Sequence, residues 1–130
     1  MFKRIDHVEL VTDQPERAVA FYTDVLGFKV RTRDKVQSLG GMALDLVSLE
    51  LGGTTVELIT YQGVTPAPAP EGIHLGYNIM ALEVEDMDKA LAFLQTKGVP
   101  CVWGPRKAAT YARAEIADPN GYHIELRHWF

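Results

Sequence analysis

The chain has a single cysteine, Cys101, in 130 residues. That excludes an intrachain disulfide and a thiolate metal cluster, and it makes the cytoplasm the expected compartment. Positive charge is scarce: 13 lysines and arginines stand against 17 aspartates and glutamates, a formal net charge of −4. Nucleic acid is not an expected partner, because its phosphates demand a basic face, and no lysine–arginine cluster is dense enough for a membrane surface. Long apolar runs are missing too, so no membrane span is expected, and residues 1–6 lack a signal-peptide core. What is present, 47% hydrophobic and 23% charged residues, is the composition of one ordinary domain. Such a chain buries about 65–70% of its unfolded surface.

The chain repeats itself. Gly53-Thr54-Thr55-Val56-Glu57-Leu58 returns as Gly121-Tyr122-His123-Ile124-Glu125-Leu126, 68 positions later. Upstream, Pro15-Glu16-Arg17-Ala18-Val19-Ala20-Phe21 is echoed 72 positions later by Met87-Asp88-Lys89-Ala90-Leu91-Ala92-Phe93. Each copy reads as strand, helix, three strands. In the first copy the alternation over residues 5–12 predicts a strand, and Pro15 opens a helix carried by Ala18, Tyr22, Val25 and Leu26 and closed by Gly27. Strands are expected at 28–32, 44–51 and 54–61, with Gly52-Gly53 as the turn. In the second, strands are expected at 79–84, 99–103, 113–117 and 122–127, with a helix capped by Asp86 and ended by Gly98. Asp118-Pro119-Asn120-Gly121 reads as a type I turn. Residues 63–73, rich in proline, read as a semi-extended linker between modules 1–62 and 74–130, and residues 104–112 read as a loop. The expected fold is α+β: two βαβββ modules forming a curved mixed sheet with helices on its outer face.

Strand parity sorts the polar side chains. Val8 and Leu10 form the apolar set under the helix, which turns His7 and Glu9 to the other face. Val56 and Leu58 likewise oppose Thr55 and Glu57, and Ile124 and Leu126 oppose His123, Glu125 and Arg127. Imidazole and carboxylate donors from separate strands suit Zn²⁺, Ni²⁺, Mn²⁺ or Fe²⁺. Taken one at a time, His7 is an ordinary strand histidine, Glu57 and Glu125 are surface carboxylates, and His123 is exposed or in contact with substrate. Glu57 and Glu125 stand at equivalent positions of the two copies in an apolar context, which raises ligation for that pair. Cys101 reads as a small buried hydrophobe, Trp103 and Tyr111 as packing, Arg106-Lys107 as a solvated pair, and His128 as exposed.

The repeat, Asp6-His7-Val8-Glu9-Leu10, Phe21-Tyr22-Thr23-Asp24-Val25-Leu26-Gly27-Phe28 and the two closing glutamates resemble the vicinal oxygen chelate superfamily. That superfamily includes glyoxalase I, methylmalonyl-CoA epimerase, extradiol dioxygenases, and fosfomycin- and bleomycin-resistance proteins. The resemblance covers essentially the whole chain. It implies that His7, Glu57 and Glu125 are metal ligands, with His123 filling a further position and Glu9 and Arg127 lining the substrate site. One family feature is missing: Ile79 stands where a second histidine opens the second half. The resemblance also implies a homodimer and a small-molecule substrate.

Three functions follow from it. The first is a metal-dependent lyase or isomerase acting on vicinal oxygens through an enediolate-like intermediate, with Glu125 or Glu57 moving the proton. The second is a metal-free small-molecule sequestering protein similar to the bleomycin-resistance members, which the loss of histidine at Ile79 favours. The third is an iron-dependent dioxygenase, disfavoured because this chain has one repeat pair.

Overall fold

Branched and aromatic residues alternating with polar ones build eight strands among residues 1–37 and 40–130, which the computed structural model describes. They form two four-stranded mixed sheets, one in each of two units, Met1–Ala69 and Pro70–Phe130. The fold is α+β, and each unit is a βαβββ module. Among the described residues no helix is long and apolar enough to cross a membrane.

In the first unit β1 (Val8–Val11) leads to α1 (Pro15–Ala20), with Pro15 in its first turn. The helix widens into a π-helical turn over Phe21–Val25, where the Leu26 amide donates to the Phe21 carbonyl. Thr23 Oγ1 donates back to the Val19 carbonyl (2.8 Å), a side-chain bond of the kind that bends helices. The wider turn places Tyr22, fully buried, edge-on to both Phe21 and Phe28. Then come β2 (Lys29–Gln37), β3 (Ala43–Leu51) and β4 (Thr54–Tyr61). Strand β2 is longer than the sequence predicts because it pairs with β3 along most of its length. The β3–β4 turn is Gly52-Gly53, both at positive φ, the backbone a two-residue hairpin requires. The sheet order is β1-β4-β3-β2, and β1 runs parallel to β4 with Glu9 opposite Glu57. Leu10, Ala18, Val19, Leu49, Val56 and Leu58 are buried in its core. Val8 is not: at the start of the edge strand it stays 38% exposed, unlike Leu10.

The second unit repeats the order with β5 (Met80–Glu83), α2 (Met87–Thr96), β6 (Trp103–Lys107), β7 (Tyr111–Ala117) and β8 (His123–Trp129), arranged β5-β8-β7-β6. Asp86 caps α2 by accepting from the Lys89 amide (3.0 Å). The Asp118 carboxylate accepts from the Asn120 and Tyr122 amides (2.9 Å each), fixing the β7–β8 turn. Four expectations fail here. The strand expected over residues 99–103 begins only at Trp103, and the expected loop over residues 104–112 contains most of β6 and the start of β7. Gly104-Pro105 reads locally as a breaker, but β6 is an edge strand, which tolerates proline, and the register shifts there. Gly104 sits at φ 81°, where an added Cβ would lie 2.9 Å from the Arg113 carbonyl oxygen. Cys101 is exposed rather than buried, because it precedes the edge strand instead of lying in a layer. His128 is half-buried rather than exposed: its Nδ1 accepts from the Met87 amide at the start of α2 (3.4 Å), and its ring meets Phe130 edge-on.

Candidate metal centre

The parallel pairing of β1 with β4 sets Glu9 beside Glu57 on the face opposite Leu10, Val56 and Leu58. His7, one residue before β1, shares that face. Its Nε2 lies 3.5 Å from Glu9 Oε1 and 3.5 Å from Glu57 Oε2. One donor atom from each of the three residues falls within 4.8 Å of the others. The second ring nitrogen, Nδ1, is 3.0 Å from Asp6 Oδ2. That hydrogen bond raises the pKa of His7, with help from the Glu57 charge, and lowers that of Asp6.

This arrangement has a chemical consequence. When Nδ1–H donates to Asp6, the neutral ring presents a lone pair at Nε2 to two carboxylate oxygens. All three atoms are then acceptors, and only a proton or a cation between them removes the conflict. Two ligands on a tetrahedral ion with bonds of about 2.1 Å lie about 3.4 Å apart. The two separations from His7, 3.5 Å each, match that spacing, and the two carboxylates lie within 4.8 Å of one another. A histidine held from behind by a carboxylate is the usual arrangement of a metal-bound imidazole. The donor set therefore fits a divalent ion of the Zn²⁺, Ni²⁺, Mn²⁺ or Fe²⁺ kind.

Glu125, His123 and Arg127 belong to the second unit, and there the closing glutamate has different neighbours. Its buried carboxylate accepts from Arg127 Nε (2.6 Å) and pairs with Arg113 Nη2 (3.0 Å). Arg113 also reaches Glu115 (2.9 Å), whose other oxygen lies 3.1 Å from His123 Nδ1. The guanidinium of Arg127 lies over the rings of Tyr111 and Trp129, and that of Arg113 over Trp103. Trp103 and Tyr111, expected as packing, thus serve as platforms for cations.

The structure brings His7 and Glu57 together and adds Glu9, which parity had put only along the substrate face. Sequence reasoning missed Asp6, Arg113 and Glu115. A signal for Arg113 and Glu115 was available, since β7 parity matches them with Arg127 and Glu125 on β8. Nothing in the sequence alone marks Asp6 as the partner of His7.

A family model described as the Glyoxalase/Bleomycin resistance protein/Dioxygenase superfamily matches residues 4–126. The lactoylglutathione lyase of Salmonella typhimurium is 31% identical over 128 residues, covering 95% of this chain and 90% of that protein. A glyoxalase family protein from Bacillus cereus superposes with a TM-score of 0.84 at 23% identity, covering 100% of this chain and 96% of the other. The trypanothione-dependent glyoxalase I of Leishmania major does so at 0.74 and 27% identity, over 98% of this chain and 87% of that one. With the fold and the repeat in agreement, the chain belongs to the Glyoxalase/Bleomycin resistance protein/Dioxygenase superfamily.

Proposed function

We propose that the chain is a divalent-metal-dependent lyase or isomerase of the glyoxalase type, acting on a small substrate with vicinal oxygens. The observation that carries the proposal is the convergence of His7 Nε2 with the carboxylates of Glu9 and Glu57, 3.5 Å from each, a set that a cation completes when the ring is neutral. The kinship with lactoylglutathione lyases supports the reaction class. In this reading His7, Glu9 and Glu57 hold the ion, and Asp6 orients the imidazole. The bound ion would supply Lewis-acid polarisation of a substrate carbonyl. In this reading Glu57, the more enclosed of the two carboxylates, takes and returns the proton next to that carbonyl. Glu125 is held between two guanidinium groups, which occupy its oxygens and leave it less free to bind an ion.

Metal uptake tests this. After chelator stripping, wild-type protein should bind one Zn²⁺ or Ni²⁺ per chain in calorimetric titration. Glu57→Gln should weaken uptake by more than about 100-fold, whereas Glu125→Gln should leave it within a few-fold. If Glu125→Gln abolishes uptake instead, Glu125 belongs to the ligand set. If the wild type takes up none of the four candidate ions, the enzyme reading fails. The sequestering reading then gains, because Ile79 and the arginine-bound Glu125 give the second unit little to offer a metal.

We also infer a homodimer. Exposed Val102, Trp103, Trp129 and Phe130 leave the second unit with apolar surface suited to a second copy. Sedimentation at micromolar concentration showing only the 14.5 kDa chain would exclude it.

A further inference from the structure

The first unit holds a cavity of about 460 Å³ that the donor cluster does not use. Val11, Met42, Tyr61, Val64 and Pro66 line it together with Thr12 and Thr60, and Asp13 is the only charged residue at its wall among those described. Val11, Met42 and Val64 are also among the exposed large hydrophobic residues. Apolar side chains kept open to solvent around one concavity mark a binding site. The cavity lies in line with the donors. Val11 follows Glu9 by two residues on β1 and Tyr61 follows Glu57 by four on β4, so both keep the parity of the donors, while Thr12 and Thr60 close the wall at the ends of the two strands. At strand rise those steps are about 7 and 13 Å.

We infer that this cavity receives an uncharged, apolar substituent of the substrate whose oxygen-bearing head sits at His7, Glu9 and Glu57. The substrate class is then an apolar carbonyl compound or its neutral adduct rather than a polyanionic thiol conjugate. The reason is charge. A carboxylate carried into the cavity meets Asp13 and no lysine or arginine among the described lining residues, so it gives up hydration for at most the hydroxyls of Thr12, Thr60 and Tyr61 and gains no countercharge. An alkyl or aryl group gains from every methylene removed from water. This inference rests on the metal-site reading for the placement of the head group, but the character of the cavity can be measured separately.

Two titrations separate the claims. In the first, metal-stripped protein is titrated with the neutral fluorophore N-phenyl-1-naphthylamine. Binding should be saturable, at least about tenfold weaker in Val64→Glu, and unchanged in Glu57→Gln. In the second, Zn²⁺-loaded protein is titrated calorimetrically with three hydroxamates: acetohydroxamate, octanohydroxamate, and suberic acid monohydroxamate, which ends its chain in a carboxylate. Octanohydroxamate should bind at least about tenfold more tightly than acetohydroxamate, and the carboxylate-ended compound should lose that gain. Val64→Lys should reverse the order of the two long compounds, a gain that a misfolded variant cannot mimic. Equal affinities for the three hydroxamates with normal zinc uptake would overturn the inference and leave the metal site standing. Fluorophore binding as expected without zinc uptake would sink the metal site and uphold the character of the cavity. Dissociation of an oligomer by Val64→Glu, with no fluorophore binding to the wild type, would make the cavity a contact between copies and overturn the inference.

Discussion

In the first unit the closing glutamate, Glu57, faces Glu9 across the parallel ladder; in the second its counterpart, Glu125, faces Ala81. His7 stands before the first strand of one unit, and Ile79 occupies the equivalent place in the other. The strand order and the parallel pairing are the same. The charge balance is reversed. Glu57 lies among an imidazole and a second carboxylate, a deficit that the proposed cation would fill, whereas Glu125 is neutralised by Arg113 and Arg127. The cavities differ in the same sense. That of the first unit is mostly apolar, while that of the second, about 280 Å³, includes Asp86, Asp88, Arg106, Lys107 and His128 in its wall. A repeat copies backbone geometry, which depends on pattern. It does not copy function, which depends on the few side chains around one carboxylate.

The sharpest way to break this contrast is to remove a cation from the second unit. Arg127→Met should destabilise the protein by about 3 kcal/mol, because Glu125 is buried and would keep only Arg113. Urea unfolding reads the loss, and Glu125→Leu in the same chain should restore most of it. A change below about 1 kcal/mol would show that the arginines are surface ornament of the kind seen in exposed ion pairs.

The first unit is probed from behind its histidine. Asp6→Asn should weaken Zn²⁺ or Ni²⁺ binding about tenfold, within the range for outer partners of a metal-bound histidine. Stability should hardly change, since Asp6 and its partner side chains are exposed. Unaltered metal affinity would remove Asp6 from the site.

A smaller effect sharpens the comparison at the strand entrances. Where the first unit has the exposed Asp6–His7 pair, the second has Tyr77, whose hydroxyl donates to the His123 carbonyl (2.7 Å) and accepts from the Met80 amide (3.0 Å). Tyr77→Phe should cost about 1–2 kcal/mol. Burial pushes the Tyr77 hydroxyl up from 10.0 to about 12. A raised folded-state value favours the folded state fully below the unfolded value and loses that contribution as pH rises from 10 toward 12. Stability measured from pH 9 to 12 should therefore fall more steeply in the wild type than in Tyr77→Phe. Parallel curves would exclude Tyr77 as the cause.

Much of the molecule was legible in the chain. The duplicated closing segments and helices define two βαβββ modules, because amphipathic period and turn chemistry are local properties. Gly52-Gly53 and Asp86 occupy the turn and cap their residue types predict. Parity placed His7 and Glu57 on one face, because side-chain alternation is a property of the strand itself. Pairing across strands is not local. It made Gly104-Pro105 part of an edge strand, turned Glu9 into a third donor, and supplied the arginines that bind Glu125. Tertiary structure alone decided which of two equivalent glutamates meets cations and which meets more negative charge. The electrostatic environment of a carboxylate is set by atoms within a few ångströms, and those atoms come from strands far apart in the sequence.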